Sequence, residues 1–145
     1  MIKVYFSPGS DCLNAIIDTL RNARKKARIC VFTISDNRIT EAVKEMQLNG
    51  VDIKIISDND KRYDAGSDIE YIARLGIPVK LDTTHAHMHH KFAVIDDEKV
   101  ITGSYNWTRS AETKNYENIL ITDDKDAVKA YSREFDKLWN ITEKL

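Results

Sequence analysis

All four histidines of the chain fall within six residues, His85, His87, His89 and His90, at the head of the stretch HAHMHHKFAVIDDEKVITGSYNW, residues 85–107. In extended backbone, alternate side chains project to one side, so His85, His87 and His89 would share a face. Three imidazoles so placed can bind zinc; a solvated loop with incidental histidines would show the same pattern. The residues downstream separate the two. His89 and Lys91 are followed by Asp96, Gly103, Ser104 and Asn106, in the spacing H-x-K-x4-D-x6-G-S-x-N. On a strand HKFAVID, positions 89 and 91 lie on one face and bring an imidazole and an ammonium to one pocket. Gly103 ends the next strand, and Ser104 and Asn106 add a hydroxyl and an amide where that strand becomes a loop. A nucleophile, a fixed cation and two neutral donors suit a phosphodiester, with the imidazole attacking phosphorus and the donors holding the non-bridging oxygens. A zinc site would want another imidazole or a carboxylate where the lysine stands, so no metal and no other cofactor is expected. Glu117, in NYENILI, is placed to hydrogen-bond the far nitrogen of His89, which would fix its tautomer and stabilise the imidazolium.

Further candidates surround this core. His90 should point to the opposite face of its strand, packed or facing solvent there. His85 and His87 are placed to flank a substrate groove. Lys61, Arg62 and Tyr63 follow the strand VDIKIIS, at the carboxyl edge where α/β sheets bind ligands. Arg109 is positioned to grip a neighbouring phosphate, and Trp107 to pack beneath the loop. The run RNARKKAR, residues 21–28, is basic enough to touch a phosphate backbone, but it also sits at a helix C-terminus, where cations complement the helix dipole.

The elements that must position these groups alternate. IKVYF is a short strand closed by Pro8-Gly9; Ser10 or Asp11 then caps a helix expected to run to about Ala27. RICVFTI is a continuous apolar strand, buried on both faces. A helix from Asp36 or Asn37 stops at Gly50, VDIKIIS follows, and a helix near residues 67–75 leads into IPVKL. HKFAVID and KVITG form a hairpin through the DDE turn, YENILIT completes the strands, and residues 124–139 form an amphipathic helix. This order predicts a single α/β domain over residues 1–145, a mixed and mostly parallel sheet with helices on both faces.

Composition narrows the class. Of 145 residues, 22 are Lys or Arg and 23 Asp or Glu, a formal net charge of -1, so any polyanion must be held by a local patch rather than a basic coat. Cys12 and Cys30 lack metal or redox spacing, and Cys30 lies in an apolar run, which favours a reducing compartment. No stretch of about 18 apolar residues and no secretory signal pattern is present. The expectation is a cytoplasmic chain without a membrane segment.

MHHKFAVID, ITGSYNWT and NYENILI together resemble the phospholipase D superfamily and its HKD signature. The likeness runs from VYFSPG to FDKLW and is greatest to the single-motif branch, the bacterial non-specific endonucleases and the mitochondrial phospholipase D-like (Zucchini) nucleases. The resemblance implies the phospholipase D-like fold and a metal-independent phosphodiesterase with a phosphohistidine intermediate. His89 would be the nucleophile, Lys91, Ser104 and Asn106 the phosphate ligands, Glu117 the orienting group and Asp96 a structural partner near the strand end. Animal mitochondrial members carry a membrane anchor and a zinc-binding insert, and neither is expected here. Larger relatives hold two HKD motifs. With one motif and no other H-x-K to supply the acid for the leaving oxygen, a homodimer with one composite site is expected. The expected activity is endonucleolytic hydrolysis of DNA or RNA. A lipid phosphodiesterase of the same mechanism and a catalytically silent nucleic-acid-binding module are the alternatives.

Overall fold

The computed structural model describes every residue except 62 and 63. Eight strands, β1 (Ile2–Phe6), β2 (Lys26–Val31), β3 (Asp52–Asp58), β4 (Val79–Asp82), β5 (Lys91–Ile95), β6 (Lys99–Gly103), β7 (Asn118–Thr122) and β8 (Glu143–Lys144), form one sheet in the order β1-β7-β6-β5-β2-β3-β4-β8. Among the described residues five helices accompany them, α1 (Asp11–Arg21), α2 (Asn37–Leu48), α3 (Ile69–Arg74), α4 (Arg109–Thr113) and α5 (Lys125–Ile141), with a 3-10 turn at Asn59–Lys61.

The mixed sheet with helices on both faces is as expected; its parallel part is smaller than expected. Only β2–β3 and β3–β4 are parallel, and the other five pairings are antiparallel. Parallel neighbours need a crossover helix, which α2 and α3 provide; a tight turn makes β5 and β6 an antiparallel hairpin, and after a longer segment containing α4 the chain returns as β7, antiparallel to β6. The β5–β6 turn is made by Asp96 (φ 57°) and Asp97 (φ 52°), a residue type that tolerates the left-handed region.

One core joins α1, α2 and α3 to the sheet, through Ile16, Leu20, Ile39, Val43, Ile69 and Ile72 against Ile29, Ile55 and Ile101. The second, smaller core lies under α5, where Val128 and Phe135 meet Cys30, Ile56, Phe92, Val94 and Val100. α5 does not reach the β1 end of that face. Ile2, Val4 and Phe6 alternate along β1 and are 69%, 50% and 65% exposed.

α1 stops at Arg21, short of the expected Ala27, and the basic run that follows becomes the start of β2. The backbone N–H groups of Arg24, Lys25 and Lys26 all donate to the Asp96 carboxylate (2.9, 2.7 and 3.0 Å), which turns the chain into the sheet. Four of the five cations of this run form ion pairs, Arg21 with Glu45, Arg24 with Glu98, Lys26 with Asp97 and Arg28 with Asp52.

Candidate active site

Strand directions decide which residues can meet. The C-terminal ends of β2, β3, β4 and β6 and the N-terminal ends of β5 and β7 all lie on one edge of the sheet. That edge collects Phe32, Asp58, His89, Lys91, Gly103, Ser104, Asn106 and Glu117. Asp96, expected as a structural residue near the site, instead closes β5 on the opposite edge, away from His89.

His89 lies just before β5, not on it, held in extended continuity because the His90 carbonyl accepts from Phe32 N–H at 2.9 Å. Lys91 is the first residue of β5. Its Nζ stands 2.6 Å from His89 Nδ1 and 2.7 Å from the His89 carbonyl oxygen, so imidazole and ammonium do share a side. The Phe32 ring packs against the imidazole at 4.5 Å between centroids. His90 turns the other way, with Nε2 2.9 Å from Glu134 of α5 and its ring edge-on to Phe92.

The neutral donors come from the segment after β6. A Cβ at Gly103 would stand 2.9 Å from the Asn118 carbonyl carbon and 2.9 Å from Ile119 Cα, so only glycine lets the segment lie this close to β7. Ser104 Oγ accepts from Asn118 N–H at 3.1 Å, leaving its own O–H to donate. Asn106 Oδ1 accepts from Thr33 N–H at 3.2 Å, which orients the amide so that Nδ2 is the outward donor. Trp107 is buried below this loop, its N–H bonded to the Thr33 carbonyl and its own carbonyl accepting from Ser35 and Asp36 N–H.

Glu117 does not make the expected hydrogen bond to His89. Its carboxylate accepts from Asn115 Nδ2 at 3.2 Å, and Lys91 occupies His89 Nδ1 in its place. Glu117 acts electrostatically on Lys91: loss of solvent lowers the Lys91 pKa from the usual lysine range, and Glu117 works against that shift. The His89 pKa is held below the ordinary imidazole range, first by loss of solvent, then by Lys91 and His87, with Asp58 opposing and Lys61 adding slightly.

Among the remaining candidates, Lys61 reaches the site, its Nζ 5.2 Å from the Phe32 ring centroid and 3.2 Å from Asp64. Arg62, named with it, lies outside the described residues. His87 turns towards Asp60 and Asp58, at 3.3 and 3.8 Å. Arg109 is exposed at the start of α4, beyond the donor loop, and His85 is exposed in the loop before His87. Sequence reasoning missed Phe32, which reads as one more core residue of an apolar strand. It also missed Asp58, a 2% exposed carboxylate that accepts from Met88 N–H at 2.7 Å and so pins the histidine loop to the end of β3.

The edge thus gathers an imidazole, an ammonium and two neutral donors, a set that can hold an oxyanion, on a mixed sheet between helix layers. Residues 16–139 match the family model described as "Cardiolipin synthase, PLD-like domain". The chain belongs to this phospholipase D-like family. It is 44% identical over 129 residues to the mitochondrial cardiolipin hydrolase of Chlamydomonas reinhardtii, covering 89% of this chain and 58% of that protein. It is 36% identical over 131 residues to that of Homo sapiens, covering 90% and 52%. It thus spans little more than half the length of these curated relatives. Among solved structures, the phospholipase D family member Nuc from Salmonella typhimurium superposes with a TM-score of 0.94 at 26% identity, covering 100% of this chain and 97% of that one.

Proposed function

We propose that the protein is a phosphodiesterase that hydrolyses DNA or RNA through a phosphohistidine on His89, at a site completed by two copies of the chain. The observation that carries this reading is the pairing of Lys91 Nζ with His89 at 2.6 Å on the edge where Ser104 and Asn106 present donors. The imidazole attacks phosphorus, the P–O bond to the leaving group breaks, and Lys91, Ser104 and Asn106 hold the charge on the non-bridging oxygens. Water then cleaves the N–P bond and restores the ring.

The leaving oxygen needs a proton, and the described residues of one chain hold a single H-x-K pair. A second His89, brought across a two-fold axis, would supply the acid and then act as the base that activates water. The uncovered apolar strip Ile2, Val4 and Phe6 supports such a contact. Phe6 pairs with Asn118, which bonds Ser104, so the strip adjoins the site, and neighbouring Tyr116 is 92% exposed. Lys61 and Arg109, on the same edge, suit a polyanion that continues past the scissile bond.

A lipid phosphodiester is the second reading. It is favoured by the cardiolipin hydrolases among the relatives and by a groove of about 460 Å³ leading from His89 past Met88 to Leu138 and Ile141. No described helix is long and apolar enough to cross a membrane. The deciding experiment incubates the protein with plasmid, single-stranded DNA, RNA and phosphatidyl-lipid vesicles in excess EDTA. Nucleic-acid products without lipid products are expected. Lipid turnover alone would transfer the mechanism to the second reading, and activity lost in EDTA and restored by a metal would overturn the mechanism itself.

A further inference from the structure

Beside the hydrolytic groups lies a second cluster that the mechanism does not use. Asp58 ends β3, Asp60 lies in the turn after it, and His87 comes from the loop between β4 and β5. One carboxylate oxygen from each aspartate and a ring nitrogen of His87 all lie within 4.8 Å of one another. We propose that Asp58, Asp60 and His87 form a binding site for a divalent first-row cation of the manganese or zinc type, adjacent to the catalytic histidine and separate from it. The inference does not depend on the phosphodiesterase reading.

The donor set has the right chemistry. Two carboxylate oxygens and one imidazole nitrogen match the preferences of such ions, and three protein ligands leave positions open for water. The cluster is also held in place before any ion arrives. Asp58 is 2% exposed, and its two oxygens accept from Met88 N–H at 2.7 Å and Asp60 N–H at 2.9 Å. Those bonds fix the carboxylate's orientation, as outer-shell partners do around metals, and leave lone pairs unspent. The second bond also shapes the turn that returns Asp60 towards His87. The His87 ring stands edge-on to Phe32 at 5.6 Å, which limits its rotation.

Charge points the same way. Two carboxylates this close repel one another when His87 is neutral, and among the described residues the nearby Lys61 ammonium pairs with Asp64 instead, so a cation bound by the neutral imidazole and both carboxylates would relieve that repulsion. Solvent has access, since the Asp60 and His87 side chains are 65% and 55% exposed. The Phe32 ring contacts both His87 and His89, and His89 is not one of the three clustered ligands, so the ion would sit beside the nucleophile and not on it. It would therefore add positive charge to the anion-binding edge without entering the chemistry.

The test titrates the metal-free protein with Mn²⁺ alone, follows loss of the free-ion signal by electron paramagnetic resonance, and looks for imidazole nitrogen by spin-echo modulation. Wild type should bind an ion with nitrogen modulation. Asp60→Asn and His87→Ala, both at exposed side chains, should each weaken binding at least about tenfold, and His87→Ala should remove the modulation. His89→Ala should change neither. Circular dichroism establishes that each variant is folded. An undiminished free-ion signal in wild type would overturn the site, as would binding indifferent to both Asp60→Asn and His87→Ala. Modulation that survives His87→Ala and vanishes in His89→Ala would place the ion on the catalytic histidine and overturn it equally.

Discussion

Lys91 Nζ lies 2.6 Å from His89 Nδ1, close enough that the two groups act as a pair. An ammonium can only donate, so Nδ1 is the acceptor and the proton of a neutral ring resides on Nε2. Attack through Nε2 needs the other tautomer. In the proposed reaction an incoming phosphate would draw Lys91 onto its oxygens, and a proton on Nδ1 would then require a new acceptor, for which Glu117, already acting electrostatically on Lys91, is the candidate. His89→Ala and Lys91→Ala should therefore each lower turnover by several orders of magnitude with the fold retained. His90→Ala should keep most activity, because His90 is bonded to Glu134 on the far face. Steady-state kinetics on folded variants checks this; a His90→Ala protein as inactive as His89→Ala would contradict the assignment of faces.

Asp96 carries a different prediction, although it belongs to the same sequence signature. Burial raises its pKa, but backbone N–H donors from Lys26, Lys25 and Arg24 outweigh that and hold it below the ordinary carboxylate range. A depressed native pKa contributes stability above the unfolded value, near pH 4, and that stability is lost as pH falls through the native value. Asp96→Asn should cost about 1–3 kcal/mol near neutrality. The gap from wild type should narrow on acidification, measured as urea midpoints across that range. Turnover per folded molecule should hardly change, since Asp96 sits on the edge opposite His89.

Gly103→Ala should damage both fold and site. The added methyl meets the Asn118 carbonyl and the Ile119 backbone, neither of which is a flexible side chain. Overpacking of this kind costs about 1–3 kcal/mol. The same displacement moves Ser104 off Asn118, so thermal stability and turnover should fall together. An unchanged melting temperature would show that β6 and β7 separate more easily than their contact implies.

The legible part of the site is the part written in short-range spacing. His89 and Lys91 are two residues apart, and Gly103, Ser104 and Asn106 follow a strand whose apolar pattern is plain, so their side and edge could be read directly. Phe32 could not, because an aromatic at the mouth of a buried strand has the same pattern as one in its middle. The hold of Asp58 on Met88 joins residues thirty positions apart, beyond any local rule. The end of α1 was misread for a related reason. RNARKKAR is rich in helix formers, yet the N–H groups of Arg24 to Lys26 are claimed by Asp96 from the far side of the sequence. Tertiary hydrogen bonds overrode propensity there. β8, two residues long, has no pattern to read.

The composite site predicts a quadratic mixing curve. Wild type and His89→Ala chains are unfolded together, re-annealed at varied ratios and assayed at constant total protein. If one histidine attacks while its counterpart protonates the leaving oxygen, mixed dimers are inactive and activity follows the square of the wild-type fraction. A linear dependence would mean that each chain works alone.

The central claim is the covalent one, and trapping tests it most directly. A phosphodiester labelled with ³²P at the scissile phosphorus is mixed with enzyme, quenched in alkali within a single turnover, and the protein is digested and mapped. The account predicts protein-bound label that survives alkali, is released by acid, maps to His89 and never exceeds one per two chains. Product formed at the normal rate with no label on the protein at any quench time would contradict it.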